Sequence, residues 1–338
     1  MRLGINEVKD IKTKIQTCLH RVIIPLFIPN EEGYYKQAYE IFLITIKSIL
    51  ITTNNVKISV IANGCGKQVI KKLFDLFDQG VINELIIEAD PIGKLNSLLK
   101  VLRTVEEDFV TVSDADVLFL NDWEKEVMNV FSEFPKAGAV CPTPVFRKHN
   151  NYTQNIWIDY LFSRKMCFTP VKNPAAMTRF ANSIGWPWLD EKYKDVYLTL
   201  ENNNGFKAMV GSSHFVSTYR KQVFQMLPTS NTLFQLGGNS EGKYLDEIVV
   251  KSGRYRLSTI DNYAYHMGNK LENWHLERFN LLEKENVERD FIKSEKIKTH
   301  KMGYFFKRKL YSIIFSSTLL KHLIYKFKGL STSQIKDF

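Results

Sequence analysis

The sequence predicts an α/β fold with a mostly parallel sheet, flanking helices and a basic helical tail. Three observations predict it. Apolar, β-branched runs alternate with segments of helical spacing, polar residues follow the ends of several of these runs, and the 338-residue chain can bury a large core. The chain is 44% hydrophobic and 24% charged, which excludes a disordered or collagen-like protein.

The N-terminal part of the chain is organised as repeated strand–helix units. Short apolar runs predict strands at 22–29, 57–64, 84–90, 109–113 and 137–146. The segments between them have the length and apolar spacing of helices, at 35–52, 67–79, 93–107 and 123–134. Parallel strands need crossover connections of this length, so the alternation predicts βαβ units.

The later part of the chain is less regular. Residues 150–205 contain aromatic residues and prolines without a clear period, and Ala208–Lys221 is predicted as a strand followed by the start of a helix. Residues 244–268 predict a short helix, a glycine turn and a strand that ends near His266. We expect an N-terminal extension at 1–20, one domain at 21–275 and a tail at 276–338.

The cysteines and the apolar runs bear on the cellular setting. Four cysteines without a CxxC pair exclude a disulfide framework and a cysteine-type zinc site: Cys18, Cys65, Cys141 and Cys167. The first twenty residues lack the apolar stretch of a signal peptide. The runs Ile41–Ile51 and Tyr311–Leu320 are shorter than the ~20 residues that span a bilayer. We therefore expect a cytoplasmic protein without a transmembrane helix.

The positive charge is concentrated in the tail. The net charge is +10, and residues 293–328 contain ten basic residues and one acidic residue. The rest of the chain is nearly neutral, and the tail mixes its basic residues with long apolar ones, so nucleic-acid binding is not expected. A basic amphipathic helix of this kind either lies on an anionic membrane surface or packs on the domain with a solvated basic face.

Two aspartates follow the strand at 109–113 directly. Carboxyl ends of parallel strands gather ligands in open α/β sheets, and the earlier strands also end in polar residues, at 29–31 and 63–64. Asp114 and Asp116 can both reach one divalent cation and the phosphates that it bridges. An aspartate-rich turn that caps the next helix is the alternative interpretation.

Several stretches share a pattern with one enzyme family. These are IPLFIPN, VIANG, IGKLNSLL, VTVSDADVLFL and YLDEIVV. Together they make residues 22–268 resemble the GT-A fold glycosyltransferases, closest to the family 2-like enzymes of bacterial surface-polysaccharide assembly. The resemblance implies a hexosyltransferase-type enzyme that moves a sugar from a nucleotide-sugar, by default a UDP-sugar, to a saccharide or lipid-linked acceptor.

The resemblance also implies where the donor and the metal bind. It divides the domain into a nucleotide-sugar half at 21–120 and an acceptor half at 121–275. A divalent metal, Mn²⁺ or Mg²⁺, would be held by Asp116 with Asp114 and His266. The predicted donor residues lie at strand ends and at a helix start: Pro29, Asn30, Glu31, Asn63, Gly64, Gly93, Lys94, Asn96, Asp114 and Ala115. Backbone N–H groups at a helix start favour anions, and Lys94 adds charge there.

An inverting transfer needs a base that removes the proton from the acceptor hydroxyl. Asp246 and Glu247 are the candidates, and we favour Asp246; helix-dipole stabilisation is the alternative explanation of these acids. Trp186 and Trp188 predict a platform on which a sugar stacks, although tryptophans also fill cores. The segment with Ser213 and His214 is a further predicted acceptor contact.

Two other functions are compatible with parts of the pattern. A haloacid dehalogenase-type phosphatase also carries DxD after an apolar strand, but near its N-terminus and followed by Thr or Val where this chain has Leu118. A non-catalytic carbohydrate-binding or scaffold protein on the same fold is the main alternative. It predicts sugar binding without turnover of a nucleotide-sugar.

Overall fold

A computed structural model describes residues 20–186, 188–285 and 301–338, together with the isolated positions 4, 9 and 11. Almost all of the predicted N-terminal extension lies outside the described residues. Within the tail predicted at 276–338, residues 286–300 also lie outside the described residues.

The described residues form alternating strands and helices. The strands are β1 His20–Leu26, β2 Val56–Asn63, β3 Glu84–Glu88, β4 Phe109–Ser113, β5 Val117–Phe119, β6 Ala137–Cys141, β7 Met166–Pro170, β8 Val196–Glu201, β9 Lys207–Val210, β10 Val216–Arg220, β11 Tyr255–Ser258 and β12 Ala264–His266. The helices are α1 Ala38–Thr52, α2 Lys67–Asp78, α3 Lys94–Leu102, α4 Trp123–Glu133, α5 Gln154–Asp159, α6 Pro174–Ser183, α7 Lys192–Asp195, α8 Glu247–Lys251, α9 Asn273–Asn280, α10 Lys301–Ser316, α11 Thr318–Phe327 and α12 Thr332–Asp337.

Ten strands form one sheet in the order β3-β2-β1-β4-β10-β6-β11-β9-β8-β7. Strands β3, β2, β1 and β4 pair in parallel, as the alternating pattern predicts. Beyond β4 the pairing is mixed: β10 is antiparallel to both neighbours, β6 and β11 are parallel, and β9, β8 and β7 are antiparallel. The α/β class is confirmed, and the longest run of parallel pairing consists of β3, β2, β1 and β4.

Helices cover both faces of the sheet because its central strands are apolar on both sides. In β1, Val22 and Ile24 pack into the cluster that contains α1, α2 and α4, whereas Ile23 packs into the cluster that contains α3 and α8. This alternation follows from the two-residue period of a strand. Burial on both faces explains why these strands are continuous apolar runs in the sequence.

Two predictions for the later part of the chain need correction. The helix start predicted within 208–221 is the strand β10, whose five residues are all buried between β4 and β6. The irregular segment 150–205 contains β7 and β8, which pair as antiparallel strands. Mixed polar and apolar residues hid both features. Strand β10 lies where the sheet changes from parallel to antiparallel pairing, and β8 and β7 form the end of the sheet farthest from β3.

The tail packs on the domain through one side. Lys328 is fully buried, and its Nζ donates to the carbonyl oxygens of Tyr160 and Ser163 at 2.6 and 2.7 Å. The opposite side exposes large apolar residues: Phe305, Phe306, Ile313, Leu319 and Leu323. Across the described ranges, we find no helix with the length and apolarity needed to cross a bilayer.

Candidate active site

Asp114 and Asp116 lie in the turn that joins β4 to β5, at the carboxyl end of the parallel strands. The turn is held on both sides. Asp114 N donates to the carbonyl oxygen of Phe215 at 2.7 Å, and Thr45 Oγ1 donates to that of Ala115 at 2.9 Å. These contacts fix the direction in which the two aspartates leave the backbone.

His266 joins the two aspartates through a second, small sheet. It is the last residue of β12, where it pairs with Val117 of β5. Ligand atoms of Asp114, Asp116 and His266 all lie within 4.8 Å of one another, and His266 Nε2 is 3.4 Å from Asp116 Oδ2. Two carboxylates and an imidazole are a donor set that suits a divalent cation. The arrangement therefore fits the predicted metal.

The charges of this cluster are incompletely balanced by the protein. Burial raises the pKa of Asp116 to about 6 although His266 opposes this, and the carboxylate of Asp114 adds to the rise. Lys94 Nζ lies 2.5 Å from Asp114 Oδ1 and 3.6 Å from Glu241 Oε1. Burial lowers the pKa of Lys94, but Asp114 and Glu241 outweigh burial and raise it. A bound cation would relieve the repulsion at Asp116.

Two pockets meet at Lys94. The larger has a volume of about 660 Å³, and its walls include Lys94, Asp114, Trp186, His214, Glu241 and His266. The smaller, of about 260 Å³, is lined by Phe27, Tyr35, Asn63, Pro91, Gly93 and Lys94, among others. Leu236 also contacts both pockets.

Three of the predicted donor residues line the smaller pocket: Asn63, Gly93 and Lys94. Asn63 Oδ1 accepts a hydrogen bond from Ile92 N at 2.8 Å, which draws the start of α3 towards the end of β2. Gly93 has φ of 91°, and a Cβ there would lie 2.6 Å from Gln235 Cα. Only glycine permits both this backbone conformation and this close approach.

Pro29, Asn30 and Glu31, in the loop after β1, line neither pocket. Asn30 Oδ1 accepts from Glu32 N at 3.0 Å, so it stabilises a local turn. Glu31 forms an ion pair with Lys72 of α2, at 2.7 and 2.9 Å. The pocket walls are formed instead by the residues just before Pro29, which are Pro25, Leu26 and Phe27.

Three further residues predicted to bind the donor instead form hydrogen bonds within the protein. Asn96 bonds through both side-chain atoms to the backbone of Thr232, at 2.9 and 3.0 Å, and thereby anchors the loop that carries Leu236. Gly64 N donates to the carbonyl oxygen of Glu88 at 2.9 Å. Ala115 contributes its backbone to the DxD turn, as described above.

Asp246 lies behind the larger pocket and is 1% exposed. Its Oδ1 accepts from Arg256 Nη2 at 2.6 Å, and its Oδ2 lies 3.3 Å from His214 Nδ1. Burial would raise the pKa of Asp246, but the Arg256 guanidinium and His214 hold it below its usual range. The predicted direct contact between Asp246 and an acceptor therefore needs correction, because His214 is the member of this pair that lines the pocket.

Glu247 lies outside the larger pocket and faces the tail. Its carboxylate accepts from Lys251 Nζ at 2.9 Å and from Tyr304 Oη of α10 at 2.8 Å. The placement does not support the predicted catalytic role of Glu247. Adjacent helical residues point in directions about 100° apart, so Asp246 and Glu247 cannot share one site.

Only some of the predicted acceptor residues line the larger pocket. Trp186, Ser213 and His214 line the larger pocket, whereas Trp188 is 73% exposed and outside its walls. The Trp186 ring packs edge-on against Phe146, with centroids 5.5 Å apart, and the Arg147 guanidinium lies 5.2 Å from its centroid.

Sequence reasoning missed several residues of the two pockets. Glu241 is a carboxylate in the larger pocket, and Phe27 and Tyr35 form an edge-on aromatic pair with centroids 5.8 Å apart beside the smaller one. Glu241 precedes Asp246 by five residues, so the acidic residues of this segment could have identified it as a candidate site residue. Lys148, which also lines the larger pocket, gave no sequence signal.

Comparisons with known proteins give limited similarity. The sequence matches no protein-family model and no curated protein. Among solved structures, it is similar to TarS 1-349 from S. aureus, with 11% identity over 73% of this chain and 59% of that chain, at a TM-score of 0.40. It is also similar to the mannosyltransferase PcManGT from Pyrobaculum calidifontis, in complex with GDP-Man and Mn²⁺, with 13% identity over 72% of this chain and 55% of that chain, at a TM-score of 0.37. The chain thus spans less than two thirds of either structure.

Proposed function

We propose that this protein is a metal-dependent, inverting glycosyltransferase that moves a sugar from a nucleotide-sugar to a saccharide or lipid-linked acceptor. One observation carries the proposal. The Asp114, Asp116 and His266 cluster lies where a small pocket and a large pocket meet at Lys94. A nucleotide-sugar has this layout, with its diphosphate between a base and a sugar.

The smaller pocket suits the nucleoside. Phe27 and Tyr35 offer aromatic surface to a base, and Asn63 offers a polar side chain. Lys94 follows at the start of α3, where backbone N–H groups and the ammonium group favour the diphosphate. UDP is the default nucleotide in this proposal.

Asp114, Asp116 and His266 would hold the metal, as Mn²⁺ or Mg²⁺. A bound divalent ion supplies neutralisation of the charge that develops on a departing diphosphate. The chain's own residues orient the site. Asp114 is held by Lys94, and His266 Nδ1 lies 3.0 Å from Ser183 Oγ, which fixes the imidazole ring.

His214 and Asp246 act on the acceptor as a pair. With Nδ1 directed at Asp246, Nε2 is the ring nitrogen that accepts the proton of the acceptor hydroxyl. The acceptor oxygen forms its bond to the anomeric carbon as the bond from that carbon to the diphosphate oxygen breaks, which inverts the configuration. Asp246 remains ionised, because Arg256 holds it, and stabilises the protonated imidazole.

The tail suggests where the enzyme works. Its exposed apolar residues and its basic residues suit peripheral contact with an anionic membrane surface, which we propose to be the cytoplasmic face of the plasma membrane. A lipid-linked acceptor of polysaccharide biosynthesis would be presented at such a surface.

A thermal-shift screen of UDP, GDP, CMP and dTDP, each with and without Mn²⁺ or Mg²⁺, tests the donor site. We expect a metal-dependent rise in melting temperature with one nucleotide, and its loss in Asp116→Asn. Hydrolysis of the matching nucleotide-sugar then tests turnover. No shift with any pair would contradict the proposal, and binding without turnover would favour the carbohydrate-binding or scaffold alternative.

The role of His214 has its own test. His214→Gln keeps a polar side chain, so we expect normal nucleotide binding and a fall in the transfer rate of about 100-fold or more. Glu241→Gln is the comparison, since Glu241 is the other candidate base in the pocket. Full transfer by His214→Gln together with loss in Glu241→Gln would move the base to Glu241.

A further inference from the structure

A second large cavity lies where α10 packs on the domain. Its volume is about 600 Å³, within the range of about 300–1,000 Å³ that is typical of ligand sites. We call it the tail groove, and its main walls are Tyr152, Asn239, Lys243, Tyr304, Arg308 and Tyr311. Asn150 lines both the tail groove and the larger pocket of the active site, so the two cavities adjoin at this residue.

The two walls of the tail groove are held in place by separate contacts. On the tail side, Tyr304 Oη donates to Glu247 and Tyr311 Oη donates to the Asn150 carbonyl at 3.3 Å, which orients one face of α10 towards the domain. On the domain side, Asn239 Nδ2 donates to Tyr152 Oη at 3.3 Å. Gly242 permits this contact, because a Cβ there would lie 2.8 Å from Tyr152 Oη.

Residues with an unusual backbone conformation are concentrated in the walls of the two cavities. In the parts of the chain that the structure describes, four residues other than glycine have positive φ, and three of them line the two adjoining cavities: Arg147, Tyr152 and Asn239. Such conformations cost free energy and persist where the surroundings impose them. The loops that connect the two cavities are therefore strongly constrained.

The chemistry of the walls fits a hydroxyl-rich ligand. Three tyrosines provide ring surface together with hydroxyl groups, and Gln154, Asn239 and Ser312 add hydrogen-bonding groups. An acyl chain would find few purely apolar contacts here. Sugar rings, which have apolar faces and polar edges, match this mixture.

The charge of the tail groove is positive. Lys243 is exposed, and the Arg308 side chain is 62% exposed. The single acid in the walls, Glu247, is paired with Lys251 at 2.9 Å, and its Oε1 also lies 3.8 Å from Arg308 Nη1, so the two wall cations outnumber it. An anionic group on the ligand would therefore be favoured.

We propose that the tail groove is a second acceptor subsite, which binds uronate- or phosphate-bearing sugar units beyond the unit that reacts. Lys243 and Arg308 hold the anionic substituent, and the tyrosines contact the rings. This inference rests on the proposed function, because it extends the same acceptor path. It gives α10 a role in substrate binding in addition to its packing on the domain.

Calorimetric titration with a hyaluronan hexasaccharide, which carries uronates, tests the subsite, and a neutral chitin hexasaccharide is the matched ligand. We expect the double variant Lys243→Gln with Arg308→Gln to weaken hyaluronan binding about tenfold or more. The control is Lys309→Gln with Lys326→Gln, which removes the same charge from exposed tail positions outside the groove. That control should bind as the parent does.

Equal weakening in the two double variants, equal affinity for the two hexasaccharides, or no binding at millimolar ligand would each overturn the subsite. The nucleotide–metal thermal shift, measured on the same variants, separates the two proposals. A normal shift without groove-dependent glycan binding overturns only the subsite. Groove-dependent glycan binding without any nucleotide shift supports the subsite and contradicts the transferase.

Discussion

Two clusters of charge lie at the same edge of the sheet, and they differ in how the carboxylates are compensated. Asp246 has a buried guanidinium 2.6 Å away, and its pKa is lowered. Among the described residues, Asp116 has no equivalent arginine beside it, and its pKa is raised to about 6. Removing one partner of a buried ion pair leaves the other charge uncompensated, whereas a carboxylate without such a partner is suited to bind a cation from solution. Asp246 is thus held by a cation of the protein itself, and Asp116 is suited to bind a metal ion.

The largest expected effect comes from breaking the compensated pair. Asp246→Asn leaves the Arg256 guanidinium buried without its counter-charge, so we expect a loss of about 3–5 kcal/mol in the free energy of unfolding. Chemical denaturation measures it. Glu247→Gln is the control at the neighbouring position. A loss below about 1 kcal/mol in Asp246→Asn would show that the pair is not structural.

The opposite effect on stability is expected from a substitution at Asp116. Asp116→Asn removes an ionised carboxylate that the fold disfavours, so we expect the metal-free variant to be at least as stable as the parent near neutral pH. Sugar transfer should fall by about two to three orders of magnitude, because the cation site is lost. Denaturation in the presence of a chelator, together with a transfer assay, measures both. A variant that is clearly destabilised yet active would contradict the assignment.

The pH dependence of stability, compared between the parent and Asp116→Asn, gives a second test of the difference between Asp116 and Asp246. Because the pKa of Asp116 is about 6 in the folded state and 3.8 ordinarily, the folded state binds more protons between these values. The metal-free parent should therefore lose about 1–2 kcal/mol of stability as the pH rises from about 5 to about 8, relative to Asp116→Asn. Denaturation curves at both pH values test it. A difference that is independent of pH would argue against the raised pKa.

The smallest effect is expected at the tail. Glu247→Gln removes a partly buried ion pair with Lys251 and weakens the bond from Tyr304; because Lys251 still reaches solvent, we expect a loss of about 1 kcal/mol or less in the free energy of unfolding. Nucleotide–metal binding should be unchanged, which a thermal-shift titration can show. A loss of nucleotide binding would return Glu247 to the active site.

Local sequence patterns were sufficient to predict the α/β class, the parallel N-terminal strands and the position of the DxD turn. These features depend on local patterns: the period of apolar residues along strands and helices, and the residues that directly follow a strand. The proximity of His266 to the aspartates was implied only by the family resemblance, because the strand pattern alone does not show which strand ends meet.

The roles of the other polar residues depend on contacts that exist only in the folded chain. Nothing near Asp246 in the sequence shows that Arg256 neutralises it or that His214 separates it from the pocket, since these contacts join different elements of the mixed sheet. Likewise, Asn96 is paired with Thr232, 136 residues away in the chain. Burial and charge compensation depend on which elements meet in space, and local sequence patterns do not encode that.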